Sequence, residues 1–360
     1  MPQNLPNQKL AHQFRSLLLA WNKKENKRKM PWKGEKDPYK IWLSEVILQQ
    51  TRVEQGLVYY ERFIKEYPTI DKLALAKDET VFKLWEGLGY YSRCRNLLAT
   101  ARYISFEKAG KFPDTYAEIL SLQGVGPYTA AAIASFAYNL PYAVVDGNVF
   151  RVMARYFGIA MPIDSTVGKK IFTTIADQLL DLSEPGTYNQ TLMDFGATVC
   201  KPASPLCLSC VLQKNCVAHT TDKVAELPLK KKKISIKKRW FYYFVLKCQG
   251  KIYIQQRTQK DIWQQLHEFY VVESEKPIKW TEKKVNQWIA KQFGTVQYAV
   301  ERISSERKQL LTHQHITGVF IEVLFDEMPT NLPETCWLSA KKMNNLAFPR
   351  FITTYLEEKN

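Results

Sequence analysis

Along residues 10 to 216 apolar side chains return at the spacing that lays a stripe along a helix. The pattern predicts helical stretches over Tyr39–Tyr67, Glu79–Leu88, Tyr91–Phe106, Tyr116–Leu122, Thr129–Tyr138, Val149–Phe157 and Lys169–Leu180. Glycine and proline mark the junctions, as at Pro68, Gly87, Gly89, Pro113 and Pro141. After Trp240 the period changes to that of strands, in "WFYYFVLKC", "KIYIQQR", "LHEFYVVE" and "ITGVFIEVLF", with helical stretches at Thr281–Phe293 and Arg350–Lys359. The chain therefore reads as multidomain. An all-α core spans residues 1–216, a linker 217–239, and a separate α+β domain 240–360.

Charge narrows the partner. The formal net charge is +16, which favours a polyanion. No stretch approaches the ~18 consecutive apolar residues of a membrane span, and no basic amphipathic helix with a lipid-ready face stands out. Nucleic acid is the expected partner, with no membrane association. The linker ends in "LKKKKISIKKR", seven basic residues without an acid from Lys230 to Arg239. Such a run fits a solvated linker, and phosphate contact is a second role. The N-terminus lacks the order of a signal peptide, so a reducing, cytoplasmic setting is expected.

In that setting clustered cysteines suggest metal rather than disulfides. Four of the seven cysteines, Cys200, Cys207, Cys210 and Cys216, fall within seventeen residues at spacings of six, two and five. Zinc usually takes two close pairs, and here only Cys207 and Cys210 are close. Four thiolates on one loop also suit a [4Fe–4S] cube. Spacing alone leaves both open. Cys94, Cys248 and Cys336 read as small buried hydrophobes.

"LSLQGVGPYTAAAIASFAY" reads as helix, tight turn, helix over 115–138. Thr115 with Glu118 forms a capping-box pattern. Gly124 and Gly126 supply positive φ and close backbone approach, and Pro127 suits the first position of the second helix. A helix start with exposed amides is an anion site. Two carboxylates have contrasting settings. Glu45 has Ile41, Trp42, Leu48 and Gln49 as its helical neighbours, so burial there would raise its pKa. Asp146, in "VVDGNVFRV", reads as a helix N-cap whose amides hold it ionised.

These motifs together resemble the helix–hairpin–helix DNA glycosylase superfamily, its endonuclease III branch, and within it the MutY-type adenine glycosylases. The resemblance is carried by "PWK" (31–33), "YKIWLSEVILQQTRV" (39–53), "LWEGLGYYSRCRNL" (84–97), "LQGVGPYTA" (122–130), "VDGNV" (145–149) and the cysteines, in family order. It implies a DNA-repair enzyme that flips adenine out of A:8-oxoguanine or A:G mispairs and cleaves its N-glycosidic bond by acid-catalysed, retaining-type chemistry. The cysteine loop (200–216) then holds a structural [4Fe–4S] cluster. Glu45 becomes the acid. Asp146 becomes the carboxylate that steadies the developing sugar cation, with Asn148 and Tyr128 in the same site. Lyase relatives carry a nucleophilic lysine at the Tyr128 position, so a monofunctional enzyme is implied; a monomer is expected.

Lys33, Gln50, Thr51, Leu88, Tyr90, Gly124 and Gly126 are implied to contact DNA. The C-terminal domain resembles the Nudix-like lesion reader, without clustered phosphohydrolase glutamates. Its recognition turn is Leu311-Thr312-His313 in place of Phe-Ser-His, with Thr312 and His313 as the lesion contacts. Gln264-Gln265 stands in place of a glycine pair, and "PWK" in place of Pro-Trp-Arg. Two other readings remain: an endonuclease III-like glycosylase with lyase activity, and a non-catalytic damage-binding protein.

Overall fold

The computed structural model describes residues 7–231 and 235–358. It divides into two units, Met1–Leu75 with Arg95–Lys232, and Ala76–Cys94 with Lys233–Asn360. In chain order the helices are α1 Gln8–Lys24, α2 Pro38–Leu48, α3 Val53–Glu66, α4 Ile70–Ala74, α5 Asp78–Trp85, α6 Ser92–Arg102, α7 Tyr116–Ser121, α8 Pro127–Tyr138, α9 Gly147–Tyr156, α10 Thr166–Leu179, α11 Pro185–Thr198 and α12 Val217–Thr220. All but α5 and the start of α6 belong to the first unit.

The helix boundaries follow local chemistry. Asp37 caps α2 through the Tyr39 amide, with Pro38 in the first turn. The consecutive residues Ile41 to Ile47 of this helix are all buried, so it runs through the core rather than over it. The stretch expected as one helix from Tyr39 to Tyr67 breaks at Gln50, which adopts φ +58°. In the hairpin Thr115 caps α7, and its hydroxyl also donates to the Glu118 carboxylate at 3.0 Å. Gly124 has φ +80°, and a Cβ there would lie 2.7 Å from that of Asn96. Gly126 differs from expectation. Its φ is −98°, because it is the extended N-cap of α8 rather than a turn residue.

The core of the first unit gathers Phe14, Trp21, Val149, Tyr156, Phe172 and Phe195 among others. One expected boundary moves. Ala218 and Leu227 are buried in this core, so the first part of the expected linker belongs to the helical unit. Backbone pairing extends this further, with the Ile163 amide donating to the Leu229 carbonyl at 3.0 Å. Lys232 and Lys233 of the basic run lie outside the described residues.

Residues 76–94 cluster with the C-terminal unit instead of the helical core. Lys83 Nζ donates to the Leu346 carbonyl at 3.0 Å, and the Phe348 amide donates to Glu86 at 2.8 Å. The rest of this unit is built on β1 Lys237–Cys248, β2 Lys251–Tyr253, β3 Gln255–Gln256, β4 His267–Glu268, β5 Tyr270–Ser274, β6 Tyr298–Ile303, β7 Arg307–Leu310, β8 Gln314–Phe325 and β9 Trp337–Ser339, with α13 Glu282–Phe293, α14 Ala340–Met343 and α15 Arg350–Glu357. β1 and β8 pair in parallel from Lys237↔Gln314 to Lys247↔Leu324, and the other pairings are antiparallel. Both central strands are buried over long runs, as strands covered on two faces must be.

Candidate active site

Glu45, Tyr128, Asp146 and Asn148 line one cavity of about 480 Å³ in the first unit. Three helices bring them together. Glu45 comes from the buried α2, Tyr128 from the first turn of α8, and Asp146 caps α9. Glu45 is 5% exposed. Burial pushes its carboxyl up to about 7, Asp146 adds to the rise, and a hydrogen bond from the Tyr128 hydroxyl offsets part of it. Such a group holds a proton near neutral pH and can pass it on. The Tyr128 hydroxyl is driven well above its usual range by burial and by the two carboxylates, so it stays a neutral donor.

Asp146 accepts from the Val149 amide at 2.7 Å and from Asn148 Nδ2 at 2.7 Å. The expectation that these donors dominate is corrected. Burial pushes the Asp146 carboxyl upward overall, against the pull of the Val149 and Asn148 donors and of Arg151. Arg151 was missed in the sequence, where it reads as one more surface cation. Its guanidinium donates to Asn148 Oδ1 at 2.8 Å and to the Cys200 carbonyl at 2.7 Å. It thereby turns the Asn148 amide toward Asp146. Arg155, one turn on, donates to Cys200 Sγ at 3.5 Å and to the Lys201 carbonyl at 2.7 Å. Their spacing of four, one helical turn, was the available signal.

Cys200, Cys207, Cys210 and Cys216 line a single small pocket, with Val199, Leu206 and Val224 among its apolar neighbours. All four are free thiols. Among the described residues no group of three or more histidine, cysteine or carboxylate side chains is arranged to hold a metal ion. The four thiols share one pocket rather than a single-ion site, and a soft, all-sulfur donor set around a pocket is the kind that an iron–sulfur group takes.

The other expected contacts divide. Gln50 and Thr51 reach the large cavity. Lys33 does not. It lines a neighbouring cavity of about 170 Å³, onto which Glu45 also opens, and its ammonium pairs with Asp194 at 2.8 Å. Tyr90 is 43% exposed with φ +50°, flanked by Gly89 at +76°, as a loop tip requires. Leu88 is buried, so packing is its observed role. Thr312 and His313 are exposed between β7 and β8, and the Tyr90 and Thr312 hydroxyls are 3.4 Å apart within the second unit. The whole of α11 was absent from the expected helices, and with it Gln190, which lines both cavities. Its start at Pro185-Gly186 hides a helix behind two breakers.

Residues 43–171 match the HhH-GPD superfamily of base excision DNA repair proteins, and residues 242–358 match the NUDIX domain. The chain is 32% identical over 348 residues to the adenine DNA glycosylase of Buchnera aphidicola subsp. Schizaphis graminum, covering 96% of this chain and 98% of the relative. The chain belongs to the adenine DNA glycosylase family. The family likeness extends to the adenine DNA glycosylase of Mus musculus, 44% identical over 216 residues, covering 57% of this chain and 42% of that one. Among solved structures, a thermostable thymine-DNA glycosylase aligns at TM-score 0.55 and 29% identity, over 59% of this chain and 97% of that one. The fold is thus a helix–hairpin–helix glycosylase core followed by a Nudix-like domain. Among the described residues no helix is long and apolar enough to cross a membrane.

Proposed function

We propose that this adenine DNA glycosylase homologue excises adenine from duplex DNA, acting on adenine opposite 8-oxoguanine or guanine, without lyase activity. One observation carries the reading: two carboxyl groups face one cavity, and one of them stays protonated to about pH 7. Breaking the N-glycosidic bond needs a proton on the departing base and an anion beside the sugar as it turns cationic. Glu45 supplies the proton. Asp146, fixed by Val149 and Asn148, supplies the anion. Tyr128 donates to Glu45 and takes the place that a nucleophilic lysine needs. Among the described residues lining the large cavity there is no lysine. Liberated adenine from an A:8-oxoguanine duplex, and none from A:T, is the expected result. Equal release from both would refute mispair specificity.

The four cysteines would hold a [4Fe–4S] cluster whose part is structural: it closes the loop that Arg151 and Arg155 tie to α9. Protein purified without air is expected to carry about four irons, with Cys207→Ser lowering iron content and DNA affinity together. Stoichiometric zinc without iron would count against the cluster.

Lesion reading is assigned to the Thr312–His313 turn and Tyr90. The two guanines differ at position 8 and N7, and the Thr312 hydroxyl is suited to that edge. Losing one such hydrogen bond costs ~1 kcal/mol. Thr312→Ala with His313→Ala should therefore narrow the preference for A:8-oxoguanine over A:G by at least roughly fivefold. Unchanged discrimination in the double variant would place the reader elsewhere.

A further inference from the structure

The Asp194 side chain, on α11, has no exposed surface. Its Oδ1 accepts from Arg28 Nη1 at 2.9 Å and Gln190 Nε2 at 3.1 Å. Its Oδ2 accepts from Lys33 Nζ at 2.8 Å and Asn26 Nδ2 at 2.9 Å. Four donors fill the roughly four lone-pair sites of a carboxylate. A buried ion pair is weak evidence for stability, since well-packed apolar groups often serve as well. Its placement points to another role. Three of the donors belong to the chain between α1 and α2, which holds turns but no helix or strand, so these bonds, together with the buried Trp32 ring against Tyr60 and Lys36 Nζ on the Phe136 carbonyl, set its path. That same chain sends Arg28, Met30 and Trp32 to the large cavity and Lys33 to the smaller one behind Glu45.

We infer that Asp194 is a positioning residue for base release, holding the Arg28 guanidinium and the Lys33 ammonium in place at the two cavities that share Glu45. The inference rests on the large cavity being where adenine is received. When the N-glycosidic bond breaks, its electron pair leaves with the base, Glu45 gives the proton that neutralises it, and the sugar is left cationic beside Asp146. Asp194 exchanges nothing. It keeps two positive charges preorganised near the base as negative charge builds there, so that no loop rearrangement is needed during the step. One anion against two cations leaves the cluster net positive.

The test is single-turnover adenine release from A:8-oxoguanine by the full-length, metal-loaded protein, with duplex affinity and Tm measured alongside. Asp194→Asn keeps the shape but turns an amide donor toward two cations. It is expected to slow release by ~10–100-fold while duplex affinity changes only a few-fold, and Asp194→Glu should recover part of the rate. In an Arg28→Met, Lys33→Met background the same Asp194→Asn change should add no more than about twofold, because its partners are already gone. A wild-type rate in Asp194→Asn, or an equal slowing in both backgrounds, would show a merely structural carboxylate. Should Asp194→Asn fail to fold, the Arg28→Met, Lys33→Met protein decides: slow release at unchanged Tm supports the inference, and a normal rate overturns it. Wild-type protein that frees no adenine would remove the reading of the cavity itself. Normal wild-type release with an indifferent Asp194 removes the inference alone.

Discussion

Replacing Glu45 by glutamine is expected to slow single-turnover adenine release by ~10²–10⁴-fold, the usual share of general acid catalysis, and to make the protein more stable at alkaline pH. Both effects come from one buried carboxyl. In the folded chain it keeps its proton to about 7, against an ordinary value of 4.5. Between those values the folded state binds more protons than the unfolded state, so stability falls as pH rises through that window. Above it the cost reaches at most about 3–4 kcal/mol, taking ~1.4 kcal/mol per pKa unit. Glutamine has no proton to lose and still accepts from Tyr128. The variant should therefore match wild type near pH 5 and exceed its Tm at pH 8. Wild-type activity should decline as pH rises through about 7, as the acid loses its proton. A variant that keeps most of its rate would mean that the acid is another group. Identical Tm profiles would mean that Glu45 is ionised at no cost.

Asp146→Asn is the second large effect, expected to slow release by ~10²–10³-fold, a common loss when a preorganised electrostatic partner is removed. The fold should survive. Asparagine is as good an N-cap as aspartate, so its carbonyl can take over the Val149 amide, which Asp146 now accepts at 2.7 Å. What is lost is charge, and the new amide also meets the Asn148 Nδ2 donor. A small change in Tm beside a large change in rate is the signature to look for. Because burial raises the Asp146 carboxyl above its ordinary 3.8, wild-type activity should also fall on the acid side as that group takes up a proton. The resulting profile is a bell whose upper limb belongs to Glu45. A rate in Asp146→Asn close to wild type would remove the carboxylate from the mechanism.

Much of the site was legible from local pattern. The run around Glu45 is apolar on nearly every side, which fixes its burial without knowledge of its partners. The Asp-Gly-Asn-Val cap and the Gly-x-Gly-Pro turn are short-range devices, readable wherever they occur. The parts that were not legible depend on long-range contacts. Residues 76–94 read as amphipathic helix and a glycine-flanked turn in any setting, and it takes bonds such as Lys83–Leu346 and Glu86–Phe348 to show which unit they join. The sign of the Asp146 shift depends on how much protein covers the cap, a tertiary quantity. Arg151 and Asp194 look like ordinary helix charges until chain some 50 to 170 residues away folds over them. Gly126 shows the limit of composition, since a glycine in a turn motif need not have positive φ.

The most direct test of the central claim, that the Glu45–Asp146 cavity releases adenine without a lyase step, is base release and strand scission on three duplexes. These carry A:8-oxoguanine, A:G or thymine glycol, each assayed with and without alkali after the reaction. Free adenine from the first two, strand breaks only after alkali, and no attack on thymine glycol is the result expected here. Strand breaks without alkali, or release of the oxidised pyrimidine in place of adenine, would contradict it.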